Sequence, residues 1–285
     1  MPTKPDFKDP IGPLAANEFE QIRQLAYRTF GLDLKAGKEE LVAARLRKLV
    51  QAGGHDTFHA YYKSIVADRT GQSLLAMIDA LATNHTSFFR EPDHFEFLRR
   101  EVLPKLCARG SVHIWSAACA TGEEPWTLAM VLSEFAGRGR WHIRATDISV
   151  KALTFAKAAT YPAERCQGIP PQWLGRYFEK LTTPRGEYHV SSELRSRVDF
   201  KRLNLVQPYS WPRTFPVIFC RNVMIYFDHV TQDRVISQLN EFLEPGGYLF
   251  VGHAESLSRV THRLEYLCPA VYRKPGKEIR WNRSS

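Results

Sequence analysis

From residue 112 onward, short apolar runs alternate with stretches of helical spacing, and this alternation constrains the fold more than any other feature. The apolar runs are 112–115, 141–145, 198–200, 217–220 and 248–251, and 271–273 could add a last edge strand. Helices are predicted between them over 125–135, 149–159 and 231–243. Such β/α alternation predicts a mostly parallel sheet with helices on both faces.

A different pattern precedes the alternation. Apolar residues recur at helical spacing in four segments between residues 14 and 81, and Gly31 and Gly53 are placed to end the first two helices. A further amphipathic helix is predicted over 95–106. The boundaries that follow are a helical domain over 14–82, a linker and helix over 83–110, an α/β domain over 111–274 and a tail over 275–285.

One segment of the α/β part does not fit the alternation. Between residues 177 and 200, two apolar stretches at 187–190 and 198–200 flank a polar loop that contains Pro184 and Gly186. The pattern predicts a small antiparallel β-insertion at about 180–200. An irregular surface loop is the alternative.

Composition excludes several classes of protein. No apolar run among the 285 residues approaches the ~18 residues that a membrane span needs, and the N-terminus lacks the apolar core of a signal peptide. The five cysteines form no C-x-x-C pair, which argues against a disulfide framework or zinc site and indicates the cytoplasm. The net charge of +9 favours an acidic partner, which could be nucleic acid, a membrane surface or a protein.

Polar side chains follow the apolar run 217–220. Arg221 and Asn222 come directly after it, and Tyr226 follows. In open α/β sheets, ligands bind at the carboxyl ends of the strands, so this edge is predicted to hold something polar. The alternative is a capped strand end with an aromatic helix behind it.

Residues at the ends of the first two strands restrict the class of ligand that could bind. The turn over 116–125 consists of small residues followed by Glu123 and Glu124, and it contains neither G-x-G-x-x-G nor a Walker A loop. Asp147 ends the second strand, where ribose hydroxyls are bound in nucleoside-dependent α/β folds, although a helix N-cap is the alternative. Carboxylates would repel phosphate and attract an ammonium group. S-adenosylmethionine fits this pattern better than NAD, FAD or ATP.

Two further stretches carry polar candidates. Asn84, Thr86 and Arg90 stand beside paired phenylalanines between the two predicted domains, which favours a segment folded over the cofactor mouth rather than an ordinary junction. Asn204 follows the strand 198–200, where its amide could bind an adenine edge, although asparagine is also a common turn residue.

Five motifs in the same order resemble the chemotaxis receptor methyltransferases, the CheR family. They are 84–91 (NHTSFFRE), 116–125 (SAACATGEEP), 146–148 (TDI), 219–228 (FCRNVMIYFD) and 252–256 (GHAES). The resemblance covers nearly the whole chain. It implies a Rossmann-like domain that depends on S-adenosylmethionine, a helical N-terminal domain that contacts a receptor, and methylation of glutamates on the cytoplasmic domains of membrane chemoreceptors.

The resemblance also implies roles for individual residues. Arg90 and Tyr226 match positions beside the transferred methyl group and the incoming carboxylate. The basic second helix matches the receptor-holding surface, with Arg45, Arg47 and Lys48. In some members the β-insertion docks a receptor peptide. Positions that match cofactor contacts are Asn84, Thr86, Arg90, Glu123, Asp147, Asn204, Leu205, Arg221 and Asn222.

Two other functions compete with this one. A nucleic-acid methyltransferase would suit the basic charge, but the Asn-Pro-Pro-Tyr type of motif is absent, so no nucleic-acid partner is predicted. A non-catalytic adaptor that senses the cofactor is disfavoured because all the matching polar positions are filled. No histidine cluster has metal-ligand spacing, and His253 is interpreted as structural, so no metal is predicted. No direct membrane insertion is predicted either.

Overall fold

A computed structural model describes residues 11–136, 139–184 and 186–276. The chain divides into two compact units, Met1–Thr83 and Asn84–Ser285. The first unit contains the helices α1 (Ala16–Phe30), α2 (Glu39–Ala52), α3 (Phe58–Ala67) and α4 (Gln72–Leu81).

The first unit is built from amphipathic helices, as the apolar spacing predicts. Ile22, Leu46 and Met77 from three of these helices are completely buried. Gly31 ends α1 in a left-handed conformation with φ 70°, which a residue without a Cβ adopts at little cost. The predicted ends of the first two helices at Gly31 and Gly53 are confirmed.

The second unit alternates strands and helices. Its helices are α5 (Pro92–Phe97), α6 (Leu103–Cys107), α7 (Glu123–Ala136), α8 (Val150–Ala158), α9 (Pro171–Tyr177), α10 (Ser192–Arg195) and α11 (His229–Phe242). A π-helical turn, Leu98–Val102, joins α5 to α6, so the predicted helix over 95–106 is continuous but irregular. Within the described ranges, no helix has both the length and the apolar content that crossing a membrane requires.

The described residues include ten strands, which form two sheets. They are β1 (Val112–Ser116), β2 (Trp141–Asp147), β3 (Thr160–Pro162), β4 (Phe178–Leu181), β5 (Glu187–Val190), β6 (Val198–Arg202), β7 (Phe215–Phe219), β8 (Leu243–Phe250), β9 (Glu265–Cys268) and β10 (Val271–Arg273). The large sheet has the order β6-β2-β1-β7-β8-β10-β9. Its first five strands are parallel, β10 pairs antiparallel with β8, and β9 pairs antiparallel with β10.

The strand order of the large sheet identifies its switch point. The chain runs from β1 outward through β2 to β6 on one side, and then returns to place β7 on the other side of β1. Ile114 on β1 lies in register with Ile143 on β2 and Val217 on β7, and all three are completely buried. The order therefore reverses at β1, and this switch point is where open α/β sheets bind ligands.

The small antiparallel sheet has the order β3-β5-β4. The insertion that the sequence predicts at about 180–200 thus spans residues 160–190 in the structure, and the irregular-loop alternative is wrong. Residues Val198–Arg202 instead form β6, which pairs in parallel with β2. The sequence could not indicate β3, because this strand has only three residues and pairs Thr160 with the distant His189.

Candidate functional site

The carboxyl ends of β1, β2 and β7 are joined by the loop that follows β1. The Ala117 N–H donates to the Phe219 carbonyl at 2.7 Å, and the Cys119 N–H donates to the Thr146 carbonyl at 2.9 Å. The loop is therefore held against both neighbouring strands at the switch point.

Small residues in this loop allow its backbone to lie close to neighbouring elements of the protein. Gly122 has a φ of +97°, and a Cβ there would stand 2.8 Å from the Ala156 Cβ and 2.8 Å from the Tyr161 hydroxyl oxygen. Ala120 also has a positive φ, of 46°. A side chain at position 122 would collide with α8 and β3, so packing within the protein explains the glycine there.

Asp147 ends β2, and both of its carboxylate oxygens accept backbone N–H groups. Oδ2 accepts from Ala120 at 2.8 Å, and Oδ1 accepts from Ser149 at 2.9 Å. The N-cap of α8 is Ser149, because its hydroxyl accepts from the Ala152 N–H at 3.0 Å. Interpreting Asp147 as the cap is therefore wrong. Since a carboxylate oxygen accepts more than one hydrogen bond, Asp147 can still receive ribose hydroxyls.

Glu123 begins α7 with a completely buried side chain. Its carboxylate accepts from the Thr121 hydroxyl at 2.7 Å and forms an ion pair with Arg165, whose Nη2 lies 2.6 Å from Oε1. Burial raises the pKa of the Glu123 carboxyl above its usual value, and the contacts with Thr121 and Arg165 only partly oppose this. A buried carboxylate of this kind favours a cationic partner.

Arg221 is the centre of a buried ionic network. Its side chain is 2% exposed. Nη1 donates to Glu124 Oε2 at 2.9 Å, and Nη2 donates to Glu91 Oε2 at 2.8 Å and to the Arg90 carbonyl at 2.5 Å. Glu124 also accepts from the Ser116 hydroxyl at 2.7 Å. The network joins the ends of β1 and β7 to α7 and to the 84–91 segment.

Asn222 and Glu255 shape the turn that follows β7. Asn222 adopts a left-handed conformation with φ 57°, and its side chain donates to Glu91 at 3.1 Å. The carboxylate of Glu255 accepts the N–H groups of Asn222, Gly252 and Met224 at 2.8, 2.6 and 2.7 Å. Glu255 therefore fixes the backbone that leads to Tyr226.

Arg90 and Tyr226, far apart in the chain, are both linked to this edge. The Arg90 carbonyl accepts from Arg221, and the Arg90 guanidinium donates to the His85 carbonyl at 2.8 Å. Tyr226 belongs to the short 3₁₀ turn Met224–Tyr226 that follows Asn222. Both side chains are half-buried, so each retains surface for a ligand.

The two phenylalanines anchor the 84–91 segment. Phe88 is 3% exposed and packs edge-on against Tyr161 with ring centres 5.1 Å apart. Phe89 contacts Trp173, with ring centres 5.5 Å apart. Both contacts are made within the second unit, so the segment is packed against β3 and α9.

The remaining predicted cofactor positions lie on either side of these loops. Asn84 Nδ2 lies 3.5 Å from the Ser149 hydroxyl, and Thr86 is half-buried in the same segment. The Asn204 side chain accepts a backbone N–H two residues further on, at 3.2 Å, as a turn asparagine does. Leu205 is 6% exposed. Asn204 therefore has a turn role whether or not it contacts adenine.

Three potential metal ligands meet beside the network. Among the described residues, Glu91, His94 and His253 bring one ligand atom each within 4.8 Å of the others, which sequence spacing did not indicate. Burial and the charge of Arg221 lower the pKa of His94 to about 3, so its ring is neutral. Arg221 lies 2.8 Å from Glu91 and already supplies the positive charge that a cation would bring. We attribute the cluster to the ionic network.

Family models match both units of the chain. The "CheR methyltransferase, SAM binding domain" matches residues 84–271, and the "CheR methyltransferase, all-alpha domain" matches residues 17–82. The chain belongs to the CheR methyltransferase family. The predicted cofactor, S-adenosylmethionine, and the predicted fold are thereby confirmed.

Curated CheR relatives match over nearly their whole length. "Chemotaxis protein methyltransferase" from Borreliella burgdorferi is 35% identical, covering 92% of this chain and 95% of its own. Proteins of the same name from Klebsiella aerogenes and Salmonella typhimurium are 39% and 37% identical, each covering 91% of this chain and 90% of its own. This CheR-family chain is therefore an S-adenosylmethionine-dependent methyltransferase of chemotaxis.

The all-alpha CheR domain contains the predicted docking residues. Arg45 donates to the Leu81 carbonyl at 2.5 Å, and Arg47 donates to the Gly12 carbonyl at 3.3 Å. Both arginines are half-buried, whereas Lys48 is exposed. Two of the three basic side chains predicted to dock a receptor thus form hydrogen bonds within their own domain.

Sequence reasoning gave no role to three charged residues of this CheR site: Glu91, Arg165 and Glu255. Glu91 and Glu255 lie inside the motifs 84–91 and 252–256, so a carboxylate in each of two motifs was the available signal. Arg165 lies outside every motif, and only folding shows that it pairs with Glu123.

Proposed function

We propose that this enzyme transfers the methyl group of S-adenosylmethionine to glutamate side chains on the cytoplasmic helices of chemoreceptors. The observation that carries the proposal is the link from Arg221 to the Arg90 carbonyl at 2.5 Å, because it joins Arg90 to the edge that bears Asp147 and Tyr226. The names of the curated relatives, which refer to chemotaxis and methyl transfer, support it.

The proposed roles at the cofactor divide by charge. Asp147 accepts ribose hydroxyls, and Glu123 attracts the ammonium group. Asn84, Thr86 and Arg90 form the wall on the 84–91 side, and Asn204 and Leu205 border the adenine. Arg221 and Asn222 act mainly through Glu91 and the backbone, because the guanidinium is enclosed by Glu91, Glu124 and the Arg90 carbonyl.

The chemistry demands alignment more than proton transfer. The sulfonium of the cofactor is an activated methyl donor. An acceptor glutamate is already ionised near pH 7, so no general base is needed. We propose that Arg90 and Tyr226 orient the carboxylate for in-line attack and remove part of its hydration. Strong hydrogen bonding would lower the nucleophilicity of the carboxylate, whereas one guanidinium and one hydroxyl bind it moderately.

The receptor is proposed to contact α2 through the exposed side of that helix. Leu41 is 46% exposed and Lys48 is exposed, and they lie seven positions apart on one face. A mixed apolar and basic face suits an acidic, amphipathic receptor helix. Arg45 and Arg47 contribute positive charge beside this face while holding α2 in its domain.

Labelled S-adenosylmethionine and receptor cytoplasmic fragments provide the test. We expect incorporation that mild base releases as methanol, since carboxyl methyl esters hydrolyse readily. A fragment whose acceptor glutamates are replaced by alanine is the matched control and should take up no label. Base-stable label, or label transferred to added nucleic acid in a salt-sensitive manner, would contradict the proposal.

Replacing Asp147 by asparagine should weaken binding of S-adenosylhomocysteine by about 10- to 100-fold, because a hydrogen bond to a charged group contributes about 1.5–3 kcal/mol. Calorimetric titration gives the affinity. Asp199→Asn is a suitable control, since Asp199 lies on the neighbouring β6 and its side chain is 47% exposed. Unchanged affinity in a folded Asp147→Asn protein would exclude the ribose contact.

A further inference from the structure

Arg165 reaches from the small sheet to the loop after β1 and the start of α7. It lies in the 3₁₀ turn Ala163–Cys166 that follows β3. Its Nη2 lies 2.6 Å from Glu123 Oε1 and donates to the Thr121 hydroxyl at 2.9 Å. Its guanidinium also stacks over Phe155, 5.1 Å from the ring centre.

The two members of the ion pair differ in burial. The side chain of Glu123 is completely buried, whereas that of Arg165 is 33% exposed. A buried carboxylate is costly without a cationic partner. The arginine provides that partner and presents its outer side to solvent, so an incoming anion could bind the guanidinium without displacing it from Glu123.

The fold holds Arg165 in place from a distant part of the chain. The Tyr161 hydroxyl donates to the Thr121 carbonyl at 2.7 Å, which attaches β3 to the loop after β1. The Ala163 N–H donates to the Gly186 carbonyl at 3.0 Å, which fixes the start of the arginine's turn. The small sheet thus delivers a cation to the carboxylate at the start of α7.

We propose that Glu123 and Arg165 together form a recognition site for the α-amino-acid end of the cofactor. Glu123 takes the ammonium group, and Arg165 takes the carboxylate. An amino acid carries both charges on one carbon, so it fits beside a carboxylate and a guanidinium that lie 2.6 Å apart. In the resulting group of four charges, each charge is adjacent to its opposite, and no charge is left buried and unpaired.

The inference rests on the role proposed for Glu123 but not on the identity of the methyl acceptor. It predicts selectivity: a ligand that keeps the ammonium and lacks the carboxylate must compete with Arg165 for Glu123 and gains nothing in return. The opposite possibility is that Arg165 only neutralises Glu123 and is displaced, in which case removing it would strengthen cofactor binding.

Calorimetry without acceptor tests this selectivity. The ligands are S-adenosylmethionine, decarboxylated S-adenosylmethionine and 5′-methylthioadenosine, which lacks the whole amino-acid end. Arg165→Gln should weaken S-adenosylmethionine binding by about 10- to 100-fold and leave the decarboxylated compound unchanged or bound more tightly. Binding of 5′-methylthioadenosine should be unchanged, which also verifies that the adenosine site is folded.

Arg176→Gln is the matched control, because Arg176 forms a comparable ion pair with Glu134 at 3.0 Å and is 64% exposed on α9. All three ligands should bind this control like the wild type. Equal losses for S-adenosylmethionine and its decarboxylated form in Arg165→Gln, no loss for either, or tighter binding of S-adenosylmethionine would overturn the inference. Because no acceptor is present, such a failure is separate from a failure of glutamate methylation.

Discussion

Replacing Arg221 by methionine should lower the free energy of unfolding by about 3–5 kcal/mol. The change removes the cation that pairs with the carboxylates of Glu91 and Glu124 and leaves their negative charges uncompensated inside the protein. Each of these carboxylates forms an ion pair with the Arg221 guanidinium, at 2.8 and 2.9 Å. Urea denaturation followed by circular dichroism measures the loss. If Arg221→Met does not fold, Glu91→Gln provides a milder version that should be destabilised in the same direction.

The loss should depend on pH with a definite sign. Burial opposes ionisation of Glu91, but the hydrogen bonds and charge of Arg221, with Asn222, outweigh it and lower its pKa to about 2 from 4.5. The stability from this depressed pKa is fully present above pH 4.5 and disappears as the pH falls towards 2. The difference between wild type and Arg221→Met should therefore shrink over that range.

Arg99→Met is the control for Arg221→Met. Arg99 also pairs with a carboxylate, Glu96, at 2.8 Å, but both side chains are largely exposed. Exposed ion pairs contribute about 0–1 kcal/mol, so this variant should retain nearly all its stability. A loss in Arg221→Met no larger than that of Arg99→Met, or one that does not change with pH, would contradict the buried-network interpretation.

Replacing Tyr226 by phenylalanine, or Arg90 by alanine, should lower kcat for receptor methylation by about 100-fold, since misalignment of the carboxylate by about 1 Å costs that much. The Tyr226 change removes one hydroxyl, so binding of S-adenosylhomocysteine should remain nearly unchanged. The Arg90 change should also weaken cofactor binding, because this arginine is proposed to contact both ligands. Single-turnover assays with saturating cofactor and receptor fragment separate the two effects.

Tyr266→Phe is a useful comparison, because Tyr266 lies on β9 and is 62% exposed. It should methylate at the wild-type rate. Unchanged turnover at saturating substrate in both Arg90→Ala and Tyr226→Phe would remove these residues from the proposed chemistry and leave cofactor binding as their only role.

Strands with a clear apolar pattern could be predicted, and short or edge strands could not. The runs at 112–115 and 217–220 predicted β1 and β7 to within two residues at each end, because these strands are buried on both faces. Strands β3, β4 and β9 have three or four residues and lie at sheet edges, where no regular apolar alternation is required. Their positions depend on partners that the local sequence does not reveal.

The candidate site shows the same division. Polar residues at strand ends predicted an edge of the sheet that the strand order also marks as the switch point, because the parallel order of the strands follows from the β/α alternation. The loop residues that organise this edge were less visible. Glu255 accepts N–H groups from Asn222 and Met224, which lie about thirty positions earlier, and such a carboxylate has no local pattern.

Sequence alone determined the family, S-adenosylmethionine as the cofactor and the presence of two adjacent carboxylates, Glu123 and Glu124. Tertiary structure decided what each carboxylate does. Consecutive residues on a helix point about 100° apart, so neighbours in sequence meet different surroundings. Glu123 meets Arg165 from the small sheet, and Glu124 meets Arg221 from the end of β7. A buried charge takes its role from its partner, and only the folded chain brings these partners together.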